Sequence, residues 1–510
     1  MGYINLQIKL PTDYSNDEIR QLIQKQLGVK DVAFEIEKKS LDARKKDNIH
    51  WLVSLIVSSG QLKGEAYIPP ETLYIQYKKR KERVIVVGSG PAGFFAAHVL
   101  QMAGYQVTII ERGSEVTQRT EAIQKLESKG EFTAQNNYAF GEGGAGTFSD
   151  GKLTSRSKHI SAERRFILSE YVKAGAPEEI LYMAHPHVGT DNLKVVVENL
   201  RKQFQENGGV FLFDTQLEDI EVKRNKVQKI VCNTGEMEAE HIIFATGHSA
   251  YDTYRMLIKR GVPFGTKNFA IGHRIEHPQK LINKAQWGKE YLPGVKAAEY
   301  RLSTKTKTGL PVYTFCMCPG GHVVPAAAFD QKSVVNGMSY FMRNGKFSNA
   351  GCVAGVHPDM LVGHAATALE ILDWMDVLEE SFYTFSNSFV IPANRATDYM
   401  KKKETKEIVK GSYALGLQQA SLFNMIPEQV RNAIIEGLTD FSRRIKGFEQ
   451  GMLMGLESKT SSPIQVARER NGKCLGFDNL YFVGEGSGYT GGIISSAADG
   501  VKCAMAMSSI

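Results

Sequence analysis

The 510-residue sequence predicts an α/β protein. A discontinuous Rossmann-like nucleotide-binding domain receives an inserted mixed β/α substrate domain. A small α+β module of ferredoxin-like βαββ order precedes both. Three observations carry this reading. A strand, glycine turn, helix and strand follow one another in VIVVGSGPAGFFAAHVLQMAGYQVTIIERG, from Val84. A second strand, glycine turn and helix, NLYFVGEGSGYTGGIISSAADGVKCAMAM, stands near the other end, from Asn479. The first 80 residues have a different texture from either. The expected boundaries are 1–80 for the module, 81–267 and 456–510 for the nucleotide-binding domain, and 268–455 for the substrate or cap domain.

Taken in order, YINLQIKL alternates apolar and polar residues as a strand does. SNDEIRQLIQKQLGV opens on a Ser or Asn cap and repeats Ile and Leu at helical spacing. VAFEIEKKS and IHWLVSLIVSS are two more strands. YKKRKERV, Tyr77–Val84, is a basic run between apolar segments and reads as a solvated linker rather than a nucleic-acid contact. Residues 160–208 read as helical, and 209–245 as short strands ending in HIIFATG. Strands dominate Phe269–Met360 and helices dominate Leu361–Gly455, where the charged run KKKETKEIVKG is expected to be solvated.

Hydrophobic residues make 42% and charged residues 23%, as in ordinary globular proteins, so a disordered chain is excluded. No apolar run approaches the ~18–20 residues of a membrane span. The opening MGYINLQIKLPTDYS lacks a basic region followed by an apolar one, so a cytoplasmic protein is expected. Six scattered cysteines form no disulfide framework. The histidines lack ligand spacing, so no metal site is expected. A net charge of +7 suits anionic ligands without pointing to nucleic acid. Oligomeric state is left open.

G-x-G-x-x-G occurs at Gly88–Gly93, Gly141–Gly146 and Gly486–Gly491. Only the first stands between a buried strand and a helix and is followed, about 20 residues on, by an acid, Glu111. There Gly88 permits the turn, Gly90 admits a pyrophosphate and Gly93 lets helix pack on strand. The helix N-terminus offers free N–H groups to phosphate. Glu111 is placed to accept a ribose 2′-OH. The loop at Gly141 follows no buried strand, and is either a plain turn or a ligand-lining loop. The loop at Gly486 has a strand before and a helix after, but no further strand to supply a ribose-binding acid. It is therefore expected to close the first site, not to form another.

These segments, with IIFATGHS at Ile242–Ser249, resemble the two-dinucleotide-binding-domain flavoproteins of glutathione-reductase type. The resemblance implies FAD. It implies that Gly88, Ser89, Gly90, Pro91, Ala92 and Gly93 cradle the pyrophosphate, with Glu111 and Arg112 flanking the adenosine. Gly143, Gly144, Gly146 and Thr147, and Ala245, Thr246 and Gly247, would line the cofactor. Gly484 and Glu485 would meet the ribityl chain, where the family usually carries Asp. Gly491, Gly492 and Ile493 would lie under the flavin. KKSLDARKK, GEGGAGTFSDGKL, FAIGHRIEHPQ, MCPGGHVVPAA and ESKTSSPIQVARE look like an uncharacterised FAD-dependent dehydrogenase family of bacteria and plastids.

The acid–base candidates are His322, Arg274 and Lys459. His322 either moves a proton beside the flavin or is a loop histidine bonded to backbone. Arg274 shares a strand face with Glu276, where an ion pair is the default. Lys459 and Glu457 either bind an acidic substrate or anchor the cap. Cys316 and Cys318 stand two apart on a strand, and no C-x-x-C or C-x-x-x-x-C occurs in the sequence, which argues against a redox disulfide relay. The expected function is an FAD oxidoreductase of a small or medium organic substrate, with either NAD(P)H as a transient co-substrate or a different electron donor or acceptor. The alternatives are a flavin-dependent RNA-modifying or RNA-binding protein, and a noncatalytic binding protein on a flavoprotein fold.

Overall fold

The computed structural model describes residues 2–70, 72–407 and 410–509. Ile408 and Val409, in the charged run KKKETKEIVKG, lie outside the described residues, as do Met1 and Glu71 of the N-terminal module, and Ile510.

The module is β-α-β-β. Strand His50–Ser59 lies between Gly2–Leu10 and Ala33–Asp42, antiparallel to both. Helix Asn16–Leu27 begins at a capping box of Ser15 and Glu18 and buries Ile19 and Ile23 in a core with Val53 and Leu55. The module is docked, not tethered: Lys39 N–H donates to Tyr182 O at 2.8 Å, and Lys39 O accepts Ala184 N–H at 2.8 Å. The basic run after it is partly engaged. Arg80 donates to Ala103 O at 2.6 Å and to Ser508 O at 2.7 Å, which pins the crossing onto the next domain.

That domain is built on a five-stranded parallel sheet, ordered Leu480–Phe482, His241–Phe244, Arg83–Val87, Gln106–Ile110, Val210–Leu212. Two segments distant in sequence thus join one sheet. Helices Pro91–Met102 and Ile493–Ser508 cross closely, because a Cβ on Gly500 would sit 2.1 Å from Ala92 O.

The inserted domain centres on a seven-stranded, mostly antiparallel sheet. Its middle strand, Phe269–Pro278, is buried along nearly its whole length, between Phe347–Val356 and Met452–Glu457. Helix Glu428–Arg444 packs on this sheet through Val430, Ile434, Leu438 and Phe441. Strand Ile391–Arg395 adds to the sheet inside the stretch read as helical. The sheet runs through Glu457, past the boundary at 455 read from sequence. The chain crosses between the domains on a two-stranded ribbon, Phe264–Thr266 with Ile464–Val466.

Candidate functional site

Strands of a parallel sheet aim their C-terminal ends at one edge. Here Val87 leads into Gly88, Ile110 into Glu111, Phe244 into Ala245 and Phe482 toward Gly484. A cleft with about 1490 Å³ of empty space, its open mouth included, runs along that edge. Phe315, Cys316, Asn336 and Lys459 bring the inserted domain to its lining.

Three glycine loops meet there. Gly88 holds φ 103°, and a Cβ on it would lie 2.6 Å from Ala245 O. At Gly90 a Cβ would find only Gly144 Cα, 3.9 Å away, so this position is open toward the cleft. Helices Pro91–Met102 and Ile493–Ser508 start at Gly90 and Gly492 with no side-chain cap. Each helix start carries roughly half an elementary positive charge, and both line the same cleft.

The loop at Gly141 is held from behind by Arg119. Its guanidinium is fully buried and donates to the carbonyls of Asn137, Tyr138, Gly141, Glu142 and Gly144. Burial draws its pKa down to about 10, against the pull of Glu111 and Glu142. Nothing local in the sequence marks Arg119, because its partners are main-chain oxygens 18–25 residues away.

Glu111 departs from its expected role. One oxygen accepts Ser89 N–H at 3.0 Å and Ser89 Oγ–H at 2.7 Å. The other accepts Gly113 N–H at 3.0 Å and Gly141 N–H at 3.1 Å. Four protein donors fill the acceptor sites of this buried carboxylate. It fastens the first two glycine loops together instead of offering a free acceptor to a ribose.

Of the other residues singled out in the sequence, Ser89, Pro91, Ala92, Arg112, Gly144, Gly146, Ala245, Thr246, Gly247, Gly484, Glu485, Gly492 and Ile493 line the cleft. Gly93, Gly143, Thr147 and Gly491 are not in its lining. A Cβ on Gly93 would meet Gly88 O at 2.0 Å, so its place is helix packing. Gly143 N–H bonds Ser89 Oγ, and Thr147 Oγ1 turns back to Glu142 O.

The acid–base candidates separate. His322 is outside the cleft lining. It packs edge-on to Tyr340, and burial lowers its pKa. Arg274 is also outside the lining, fully buried. Its expected partner Glu276 is replaced by Glu457, at 2.7 Å with neither side chain exposed. Asn349, Asn336 and Cys316 O take its other protons. Glu276 instead accepts from Ser412 N–H and Oγ–H. Lys459 does reach the cleft. Its ammonium donates to Glu379 at 2.7 Å and to Tyr251 Oη at 2.8 Å. Neither Glu379 nor Tyr251 stood out in the sequence.

The lining also contains Lys152, His248 and Asn336, which sequence reasoning missed. His248 Nδ1 lies 3.6 Å from Glu485 Oε1, and its Nε2 is buried without a partner among the described residues. Its place directly after Ala245-Thr246-Gly247 was the available signal. Cys316 lines the cleft and Cys318 does not; a register shift lies between Phe315 and Cys318, and Cys318 Sγ donates to Cys316 O at 3.3 Å.

Comparison with known proteins agrees with this geometry. Residues 82–284 match a family model described as pyridine nucleotide-disulphide oxidoreductase. Residues 268–460 match "FAD-dependent protein, C-terminal domain-like". Residues 3–58 match a domain of unknown function. An uncharacterized protein of Clostridium beijerinckii (strain ATCC 51743 / NCIMB 8052) is 38% identical over 522 residues, covering 98% of this chain and 97% of the relative. The chain belongs to this relative's family, one of FAD-dependent oxidoreductases. A likeness between this flavoprotein and L-amino-acid oxidase of Pseudechis australis is more distant, 26% identical over 195 residues, or 37% of this chain and 32% of the oxidase. Glycine oxidase from Bacillus cereus ATCC 14579 superposes over 84% of the flavoprotein and 95% of its own chain, at 13% identity and TM-score 0.34, too loosely to bear on activity. Among the flavoprotein's described residues, no helix is long and apolar enough to cross a membrane.

The cleft's own chemistry suits FAD. Gly90 is open toward the cleft, two uncapped helix starts line it, and Glu485 stands in the lining as an acceptor beside His248.

Proposed function

We propose that this protein binds FAD along the cleft and passes a hydride between it and a small or medium organic substrate, with NAD(P)H as a visiting electron donor in the cytoplasm. The observation that carries the reading is one cleft lined by two uncapped helix starts on one side and by Lys459 and Asn336 of the inserted domain on the other.

Bound FAD would supply the two-electron chemistry, and the chain supplies position and charge. Gly88–Ala92 admit the pyrophosphate, and the helix at Pro91 stabilises its charge. Arg112 meets the adenosine end. Glu485 accepts hydrogen bonds from ribityl hydroxyls, and its extra methylene, relative to Asp, is accommodated beside His248. Gly492 and Ile493 offer N–H groups to the negative charge that a reduced flavin carries. Lys459 keeps one N–H free after bonding Glu379 and Tyr251, and that proton holds a substrate carboxylate or oxyanion. Glu111 and Arg119 act through the loops they fasten and are positioning residues.

The test is anaerobic titration of the oxidised protein with NADH, NADPH and a metabolite library, followed by flavin absorbance. A yellow protein bleached by a dihydronicotinamide or by one metabolite class is expected. A colourless protein that takes up no added FAD overturns the reading.

A further inference from the structure

Three nitrogen-bearing side chains of the cleft lining, Lys152, Asn336 and Lys459, keep donors unspent. An ammonium carries three N–H groups. Lys152 Nζ donates to Met317 O and stands 3.1 Å from Asp150, which leaves one. Lys459 donates to Glu379 and Tyr251 and also keeps one. Asn336 Oδ1 accepts from Arg274 Nη1 at 3.0 Å and from Gly337 N–H at 2.8 Å. Both partners are donors only, so the amide has one possible orientation. Its Nδ2 then has no acceptor among the described residues.

One buried hub gathers the three. Arg274, fully buried, donates to Asn336 at 3.0 Å, to Cys316 O at 2.7 Å and to Glu457 at 2.7 Å. Met317, whose carbonyl takes Lys152, follows Cys316 directly, and Lys459 stands two residues after Glu457. Lys152 is further fixed by its backbone bridge to His187. Its neighbour Asp150 is held by Arg343 through both carboxylate oxygens, at 3.0 and 2.5 Å. Donors fixed in this way lose little freedom when an anion meets them.

The lining has few acceptors to compete. Its acids are Glu111 and Glu485. Glu111 is filled by protein donors, and Glu485 stands beside His248. Among the described residues the inserted domain brings no carboxylate to the lining, while Phe315 gives its wall an apolar surface. We propose that the substrate is a short-chain dicarboxylate, with one carboxylate on Lys459, the other on Lys152 and Asn336, and its carbon chain against Phe315. Lys152 belongs to the nucleotide-binding domain and Lys459 to the inserted one, so the substrate is gripped across the two. The inference rests on the FAD reading for the redox step on that carbon chain, whereas binding needs only the chain's own donors.

Isothermal calorimetry on the protein as purified compares matched acids at neutral pH and one ionic strength: succinate against butyrate, and glutarate against pentanoate. In at least one pair the dicarboxylate should bind roughly tenfold more tightly or better, as one added charge-assisted hydrogen bond gives. Lys152→Met should bring that pair near parity, and Lys152→Arg should retain most of the preference. Asn336→Asp keeps the oxygen that faces Arg274 and Gly337, and should weaken the dicarboxylate more than its partner. Equal affinities within both pairs, no binding of any of these acids, or a preference that survives Lys152→Met and Asn336→Asp alike, overturns the proposal. Flavin absorbance of the same samples reports FAD separately. A colourless protein that prefers dicarboxylates contradicts the FAD reading alone, and a yellow one without the preference contradicts the dicarboxylate alone.

Discussion

The carboxylate of Glu111 accepts the backbone N–H of Gly141 at 3.1 Å, so an acid at the end of one glycine motif holds the next. Ser89 and Gly113 fill its remaining acceptor sites. Glu111→Gln turns an NH₂ group toward N–H donors and leaves them unpaired. A loss of roughly 2 kcal/mol is expected, read by thermal unfolding of the apoprotein. A neutral result there, with weakened FAD retention, would restore the ribose role to Glu111.

Gly90 and Gly93 separate binding from folding. Gly90→Val points a side chain into the cleft from an ordinary helical entry, φ −64°. Unfolding temperature should hardly move while the flavin-to-protein absorbance ratio collapses. Gly93→Ala drives a Cβ against Gly88 O. It should cost about 1–3 kcal/mol whether or not cofactor is present.

Arg274 and Glu457 form a buried pair at 2.7 Å. Arg274→Met alone leaves a buried carboxylate without its cation, for a loss of about 3–5 kcal/mol. Arg274→Met with Glu457→Leu removes both charges and should recover most of that stability. Equal losses in the single and double variants would contradict the pairing as the source.

Glu276 is pushed up to about 7 by burial, against the two hydrogen bonds from Ser412. In the unfolded chain it titrates near ~4.3. Between these values the folded state holds the extra proton. Stability therefore falls as pH rises through that window, by roughly 3 kcal/mol in all. Glu276→Gln should be more stable than wild type at pH 8 and similar near pH 4. The comparison is made by unfolding temperature across that range.

Local pattern exposed a good part of the architecture. VIVVGSGPAG and LYFVGEGSGYTGG each show a buried strand running into glycine and then a helix, and both ends of that pattern lie within a few residues. The βαββ order of the module was legible for the same reason. FAIGHRIEHP was less so. Its strand is buried on both faces, so alternation carried no information about which partner Arg274 would take. The left-handed turn at Cys316 was not legible either, because the register shift beside it is set by pairing with Phe347–Val356.

The sequence by itself determined the dinucleotide-binding turn, the helix that follows it and the late segment that completes the same sheet, because each is encoded by neighbours in the chain. Only the tertiary structure decided that Glu111 fastens loops, that Arg119 gathers five carbonyls, that Arg274 pairs with Glu457, and that Lys152, His248 and Cys316 share the cleft with Lys459. Those outcomes depend on which distant groups remain to satisfy a buried charge or donor once the sheets have assembled.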